Sequence, residues 1–396
     1  MRLRSLLVVL LACVHVADAQ AAPAPALTSV IVVGRAAARA SWTDAATEAR
    51  AADGAALALV GVAREGKRVV YLVDAEVTPL VLGGKAVAAR ARRPWPDSVA
   101  VRWSKVEPDA WRKGPTPAAN GADTPFYTNV VSGGPEHGKW LGYDTITYFE
   151  TPLGDFARGA AARRHAADAH PSQREDDVHD GLGTMRYKAE VRVGDGAGAR
   201  TLASPGAEAV DAYGVRDSVH RVSIRRDDTT LGWLTAYFLV PEVFGSAGPG
   251  KDHQTERFSG ADCADVLVGA RRAQGFRRVA YTNVLGLPAY ARQVAALVEL
   301  DADGAVVAGE RPEGVRVGDL VRIDYAGQYA GLTARSWDHV AMVYQDRSDP
   351  AGPGHGAPDG KLDRFDLVVH MGHPRLLVEP LGEQLPARLD VLRWKD

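Results

Sequence analysis

The sequence predicts an α+β protein: two N-terminal β-rich, sandwich-like domains, then a C-terminal domain in which helix precedes strand. Three observations carry that reading. Short apolar runs bounded by Gly, Asp and Pro fill the chain as far as Gly245. Turn-rich stretches at 113–123 and 246–251 read as boundaries. At Asp262 the apolar period then changes from two to that of a helix. The division is therefore 1–22, 23–112, 113–248 and 249–396.

The first segment reads as an export signal and linker. Arg2 and Arg4 give a positive start, residues 5–16 a short apolar run, and Ala17-Asp18-Ala19 a small-x-small cleavage pattern before Gln20. Leu10-Leu11-Ala12-Cys13 also resembles a lipobox, in which Cys13 would carry a lipid anchor. Both readings place the protein in a bacterial cell envelope, periplasmic or secreted. The apolar run is too short to span a bilayer, and no later run is long enough.

In the second segment, strands are expected at 30–33, 56–62, 68–73 and 99–103. In the third they are expected at 145–149, 186–193, 221–224 and 233–240. The polar stretch 158–183 reads as an interruption with a surface helix, and His165, His170 and His179 read as solvated.

Composition narrows the function. The chain is 46% hydrophobic and 24% charged with a net charge of -2, so it has no basic field for nucleic acid or an anionic membrane. Of its two cysteines, Cys13 lies in the signal, which leaves Cys263 without an internal disulfide partner. A lone thiol in an oxidising compartment is a liability unless it is buried or used.

The last segment concentrates the chemistry. Residues 262–275 predict a helix with Asp262 as N-cap, Asp265 in an acidic first turn and Gly275 just past the end. Cys263, Val266, Leu267 and Ala270 form its inward stripe. A thiol on a first turn is placed where the helix dipole favours thiolate. Downstream, Gly318-Asp319-Leu320-Val321 opens a strand, and His339-Val340-Ala341-Met342-Val343-Tyr344 forms another. On it His339 shares a face with Ala341 and Val343. A third strand carries His370 beside Val368. Antiparallel pairing of these last two would let His370 orient His339, and His339 could then take a proton from a thiol.

These motifs, in this order, resemble the NlpC/P60 superfamily of papain-like cysteine peptidases: a DCSG-type segment, a GDL strand, an HVG-type strand and a polar residue on the next strand. The resemblance covers about 258–396. It implies a papain-like domain with Cys263 as nucleophile, His339 as general base and His370 as orienting residue, and Asp262 binding the free amine of a peptidoglycan stem peptide. Hydrolysis at the γ-D-glutamyl–diamino acid bond is the implied activity, with the Cys263 N–H as an oxyanion donor and no cofactor. The family's serine and glycine after the cysteine are Ala264 and Asp265 here. His373 is an alternative third member.

Two rivals stand beside this reading. Asp262-Cys263 followed by Arg271-Arg272-Ala273-Gln274-Gly275-Phe276 also resembles the transglutaminase-like cysteine helix, although Trp337 precedes His339 rather than following it. The non-enzymatic rival is an envelope binding or scaffold protein with an inert cysteine. Separately, Asp359, Gly360, Asp363 and Asp366 fall at offsets resembling the back half of an EF-hand-like calcium loop. His355 and Ala357 occupy its early positions, so the oxygens are too few for calcium and a solvated turn is expected.

Overall fold

The computed structural model describes residues 25–111, 126–172, 179–248, 253–325 and 337–396. The signal, the lipobox and the 113–123 boundary lie outside the described residues. Strand accounts for 41% of the chain and helix for 11%. The α+β expectation is thereby corrected: the protein is mostly β, built of several sheets, and its C-terminal region is not the papain-like domain anticipated. Most apolar runs went into sheets, but the strand expected at 233–240 is instead the end of the helix Thr230–Thr235 and the turn after it, and Cys263–Ala273 is the longest helix among the described residues.

In chain order, the elements that matter below are β1 (Ala26–Arg35), β2 (Thr47–Arg50), β3 (Ala55–Glu65), β4 (Ala100–Pro108), β5 (Gly183–Val193), β6 (His220–Arg225), α1 (Thr230–Thr235), α2 (Cys263–Ala273), β7 (Ala291–Leu300), β8 (Leu320–Asp324), β9 (His339–Gln345), β10 (Leu367–Met371), β11 (Leu376–Pro380) and β12 (Ala387–Trp394).

Two sheets face each other in the first two thirds of the chain. One centres on the antiparallel pair β1–β3, with Ile31 opposite Val60. The other centres on β4, β5 and β6. Val30, Val32, Leu57 and Leu59 from the first meet Val101, Trp103, Tyr187 and Ala189 from the second in one buried cluster. Burial of each such aliphatic side chain contributes about 1.5–3 kcal/mol. The chain crosses between the layers: β2 pairs in parallel with β6, Thr47 opposite Val222. Arg164–Ala167 returns to pair with β3, His165 opposite Leu57. The boundary drawn at 112/113 therefore does not separate two sandwiches, because both sheets take strands from both sides of it. Gly34 sits at the crossing, where a Cβ would lie 2.1 Å from Thr47 Oγ1 and 2.6 Å from His220 Nε2. No side chain larger than hydrogen fits there without displacement.

Strands Ala157–Arg158 and Arg164–Ala167 stand where a surface helix was expected. Two of the three histidines expected in solvent are also packed: His165 stacks on Trp103 with ring centroids 5.9 Å apart, and His179 on Phe238 at 3.6 Å. An imidazole with one apolar face packs readily against an aromatic ring, and a polar local sequence hides this.

The third sheet runs β7-β12-β8-β9-β10-β11, antiparallel throughout. Leu320, Val340, Met342, Val369 and Leu392 share a buried cluster with Val266, Leu267 and Ala270 of α2. Val321, Ile323, Ala341, Val343, Val368, Leu389 and Val391 form a separate cluster without α2. Strand alternation thus gives the sheet one face for α2 and another for its own apolar layer. Among the described residues, no helix is long and apolar enough to cross a membrane.

Candidate active site

Helix α2 starts as its residues dictate. Asp262 caps it, its carboxylate accepting from the N–H of Ala264 at 3.1 Å, Asp265 at 2.8 Å and, from outside the helix, Gly245 at 3.0 Å. Three backbone donors occupy that carboxylate, which caps the helix and ties it to Gly245. The N–H of Cys263 makes no hydrogen bond among the described residues. It is the one first-turn donor left for a ligand oxygen.

The thiol's surroundings reverse the sequence expectation. Cys263 is half-buried and unpaired. Burial pushes the thiol well above its usual range, and the carboxyls of Asp262 and Asp265 push it the same way. Asp265 is itself raised well above a normal aspartate, first by burial and then by Asp262, while accepting from Ser246 Oγ at 2.9 Å and Ala247 N at 2.7 Å. The two carboxyls share one buried site, which favours keeping a proton there. The dipole's pull toward thiolate is outweighed by desolvation and acidic neighbours, so the resting sulfur is a protonated thiol.

The histidines form a chain. His339 Nε2 and His370 Nδ1 are 2.8 Å apart, and His370 Nε2 lies 3.0 Å from Glu379 Oε1. Gln384 donates to the same carboxylate oxygen at 2.5 Å and accepts from the Tyr325 hydroxyl. The direction of each bond follows from the acceptor at its centre. Glu379, held below its usual range by the His370 hydrogen bond, is an ionised acceptor. His370 Nε2 then donates to it, and His370 Nδ1 is left as the partner of His339 Nε2. When His370 accepts at Nδ1, His339 carries its proton on Nε2 and its own Nδ1 is a lone pair without a hydrogen bond among the described residues. Burial, then His370, pushes the His339 imidazole down to about 3, so it is neutral at every ordinary pH. His373, the alternative third member, instead contacts Glu242 Oε2 at 3.0 Å.

Thiol and base lie toward one end of the sheet, on opposite faces. Arg271 donates to the Lys395 carbonyl at 2.7 Å, which puts the last turn of α2 at the Trp394 end of β12. By register that is the Met342–Tyr344 end of β9, so Cys263 starts the helix toward the His339 end. There Glu242 pairs with Ala261 and donates its N–H to the Pro374 carbonyl, on the turn that follows His370. Yet His339 stands opposite Ile323 and His370 alternates with Val369, so both point away from the face that α2 covers. No hydrogen bond joins Cys263 to either histidine among the described residues.

No family model, curated protein or solved structure matches this chain. The residues themselves therefore carry the functional argument. Sequence reasoning missed Glu379, Gln384, Tyr325 and Glu242. Only Glu379 left a signal, as the single charge in Leu376–Pro380. The calcium-like stretch binds its own backbone: Asp346 accepts from Asp359 N at 3.1 Å and Gly360 N at 2.9 Å, and Asp366 from Arg347 N and Asp363 N at 2.8 Å. Burial pushes Asp366 up to about 7. The turn 359–366 is solvated at Asp359 and Lys361, as expected, and of its carboxyls only Asp366 is buried.

Proposed function

We propose that the protein is an envelope hydrolase of peptide amide bonds, with Cys263 as nucleophile and His339 as base. The observation that carries this reading is the Glu379–His370–His339 chain, which leaves a neutral imidazole with a free Nδ1 at the sheet end where α2 begins. In the proposed reaction His339, which lies on the opposite face of the sheet, has to reach round the sheet end for Cys263 Sγ–H to give its proton to Nδ1 as sulfur attacks the carbonyl carbon. The C–N bond then breaks, the amine leaves with that proton, and water hydrolyses the thioester. With a protonated thiol and a neutral imidazole at rest, proton transfer accompanies attack, and no stored thiolate–imidazolium pair is needed. The Cys263 N–H would receive the carbonyl oxygen. Motif order, through its resemblance to NlpC/P60 enzymes, suggests peptidoglycan stem peptides as the substrate class.

A second reading, a non-catalytic envelope binding or scaffold protein, is favoured by the raised thiol and by the lack of a Cys263–His339 hydrogen bond. Incubating the full chain with muropeptides and reading the products by mass spectrometry separates the two. Under the hydrolase reading the wild type releases stem fragments, and Cys263→Ala and His339→Ala do not. Equal cleavage by Cys263→Ala removes the thiol's role, and an inert wild type supports the scaffold.

A further inference from the structure

The corner of the first sheet where β1 begins carries a local positive field. The hairpin from β3 into the strand Arg68–Leu72 turns there, with Glu65 opposite Arg68 and Arg64 opposite Val69. On the far side of that strand Arg92–Arg93 pairs in parallel, Tyr71 opposite Arg92. The Arg93 guanidinium reaches Glu65 at 2.5 Å and the Arg90 carbonyl at 3.0 Å, which ties the turn at Arg90 to the hairpin. Glu65 is the one carboxylate that any of these cations contacts among the described residues. Arg64, Lys67, Arg68 and Arg90 are exposed, and their side chains make no hydrogen bond or ion pair among the described residues. Arg92 donates to the Val87 carbonyl and the Thr78 hydroxyl, neutral acceptors that leave its charge in place. A net charge of -2 averages over the whole chain and conceals this field.

Two observations favour a lipid surface over a dissolved polyanion as its partner. Val69 stands among the cations and is 46% exposed. Long basic side chains around an exposed apolar residue suit a headgroup layer, where stems and apolar residue lie against carbon and the charges meet phosphate. The other observation is where the leader enters. Strand β1 starts at Ala26, directly opposite Arg64, so the segment with the apolar run 5–16 and Cys13 joins the fold at this corner. From Cys13 to Ala26 the chain can span at most about 45 Å. An acyl group on Cys13 would therefore hold this corner close to a bilayer.

We infer that this corner docks on a bilayer bearing anionic phospholipid headgroups, with Arg64, Lys67, Arg68 and Arg90 on lipid phosphates and Val69 between them. Each cation close to an anionic membrane strengthens partition about fivefold. Docking here takes its envelope setting from the proposed function and nothing from the Cys263 chemistry.

The probes are vesicles of phosphatidylcholine alone and of phosphatidylcholine mixed with phosphatidylglycerol, co-sedimented with the full chain at low salt. The ratio of the two affinities should exceed about 100 in favour of the anionic vesicles, and it should shrink as salt is raised. The Arg64→Gln/Lys67→Gln/Arg68→Gln variant should lower that ratio about 100-fold, at about fivefold per cation, while Arg64→Lys/Arg68→Lys keeps it. A lipid on Cys13 inserts into both kinds of vesicle, so the ratio reads the patch and not the anchor. A wild-type ratio near one, or a triple variant that keeps the wild-type ratio, overturns the inference. So does inorganic polyphosphate binding in solution as tightly as the anionic vesicles, because a dissolved polyanion would then be the partner.

Discussion

Glu379→Gln changes one atom type in the relay and should separate a catalytic chain from a structural one. The carboxylate accepts from His370 Nε2 at 3.0 Å and from Gln384 at 2.5 Å. A hydrogen bond to a charged group contributes about 1.5–3 kcal/mol. Glu379 is 26% exposed at its side chain, so solvent screening puts the loss near the lower limit, about 1.5 kcal/mol. The chemical effect should exceed the structural one. A glutamine turning its amide nitrogen toward His370 forces His370 to accept through Nε2 and donate through Nδ1. His339 must then accept at Nε2 and carry its proton on Nδ1, which abolishes the free lone pair. Losing the partner that orients a functional imidazole costs about 10–100-fold in activity, expected here in kcat with KM little changed. Histidine-selective 15N NMR reads the tautomers directly, and muropeptide turnover reads the rate. A wild-type His339 protonated on Nδ1 would refute the reasoning. So would a Glu379→Gln variant that loses stability while keeping both the wild-type tautomer and the wild-type kcat.

Cys263 should react with iodoacetamide more slowly than a model thiol at pH 7, with the rate climbing only above pH 9, because burial and the Asp262 and Asp265 carboxyls hold the proton on sulfur; mass spectrometry against free glutathione decides it, and faster labelling at neutral pH contradicts the assignment. Burial holds His339 and His220 down to about 3 and about 4, so below about pH 6.5 the unfolded chain takes up protons that these rings refuse, each lowering stability by up to about 1.4 kcal/mol per pH unit until its native value is reached. The raised Asp265 and Asp366 carboxyls act in the opposite sense, so the histidine effect is read as the difference in urea midpoint between wild type and His220→Gln; the same difference at pH 7 and pH 4.5 would show that His220 is not held neutral. Asp390→Ala should destabilise by about 3–5 kcal/mol, since it strands the Arg322 guanidinium that Asp390 holds in a buried bidentate pair. Denaturant titration should show the Arg322→Met/Asp390→Leu double variant losing less than Asp390→Ala, and the reverse order would mean that the pair is not effectively buried.

Elements governed by local rules were legible. The cap, stripe and end of α2 follow from Asp262, the spacing of Val266, Leu267 and Ala270, and Gly275, whose φ is +123°. Antiparallel pairing of β9 with β10, and so the His339–His370 contact, follows from period-two alternation on adjacent strands. What stayed hidden was non-local. Nothing near Thr47–Arg50 announces a parallel partner at His220–Arg225, so one interleaved sandwich read as two domains. The raised thiol depends on Glu242 as well as on its own helix, and Glu242 reaches the site only through the fold. Alternation also set a limit on the site reading. It put His339 and His370 on one face, but it could not say which face α2 would cover.

The crossing of β2 into the opposite layer also constrains how the molecule comes into being. Thr47 finds its neighbour only when Val222 exists, so the first sheet cannot close its packing while the ribosome is still supplying the chain between them. Contacts so distant in sequence slow folding and leave unpaired strands exposed meanwhile. A fragment ending near residue 112 would lack the β6 partner of β2 and the Arg164–Ala167 partner of β3. The β-rich part of this protein is therefore acquired, and lost, as one piece.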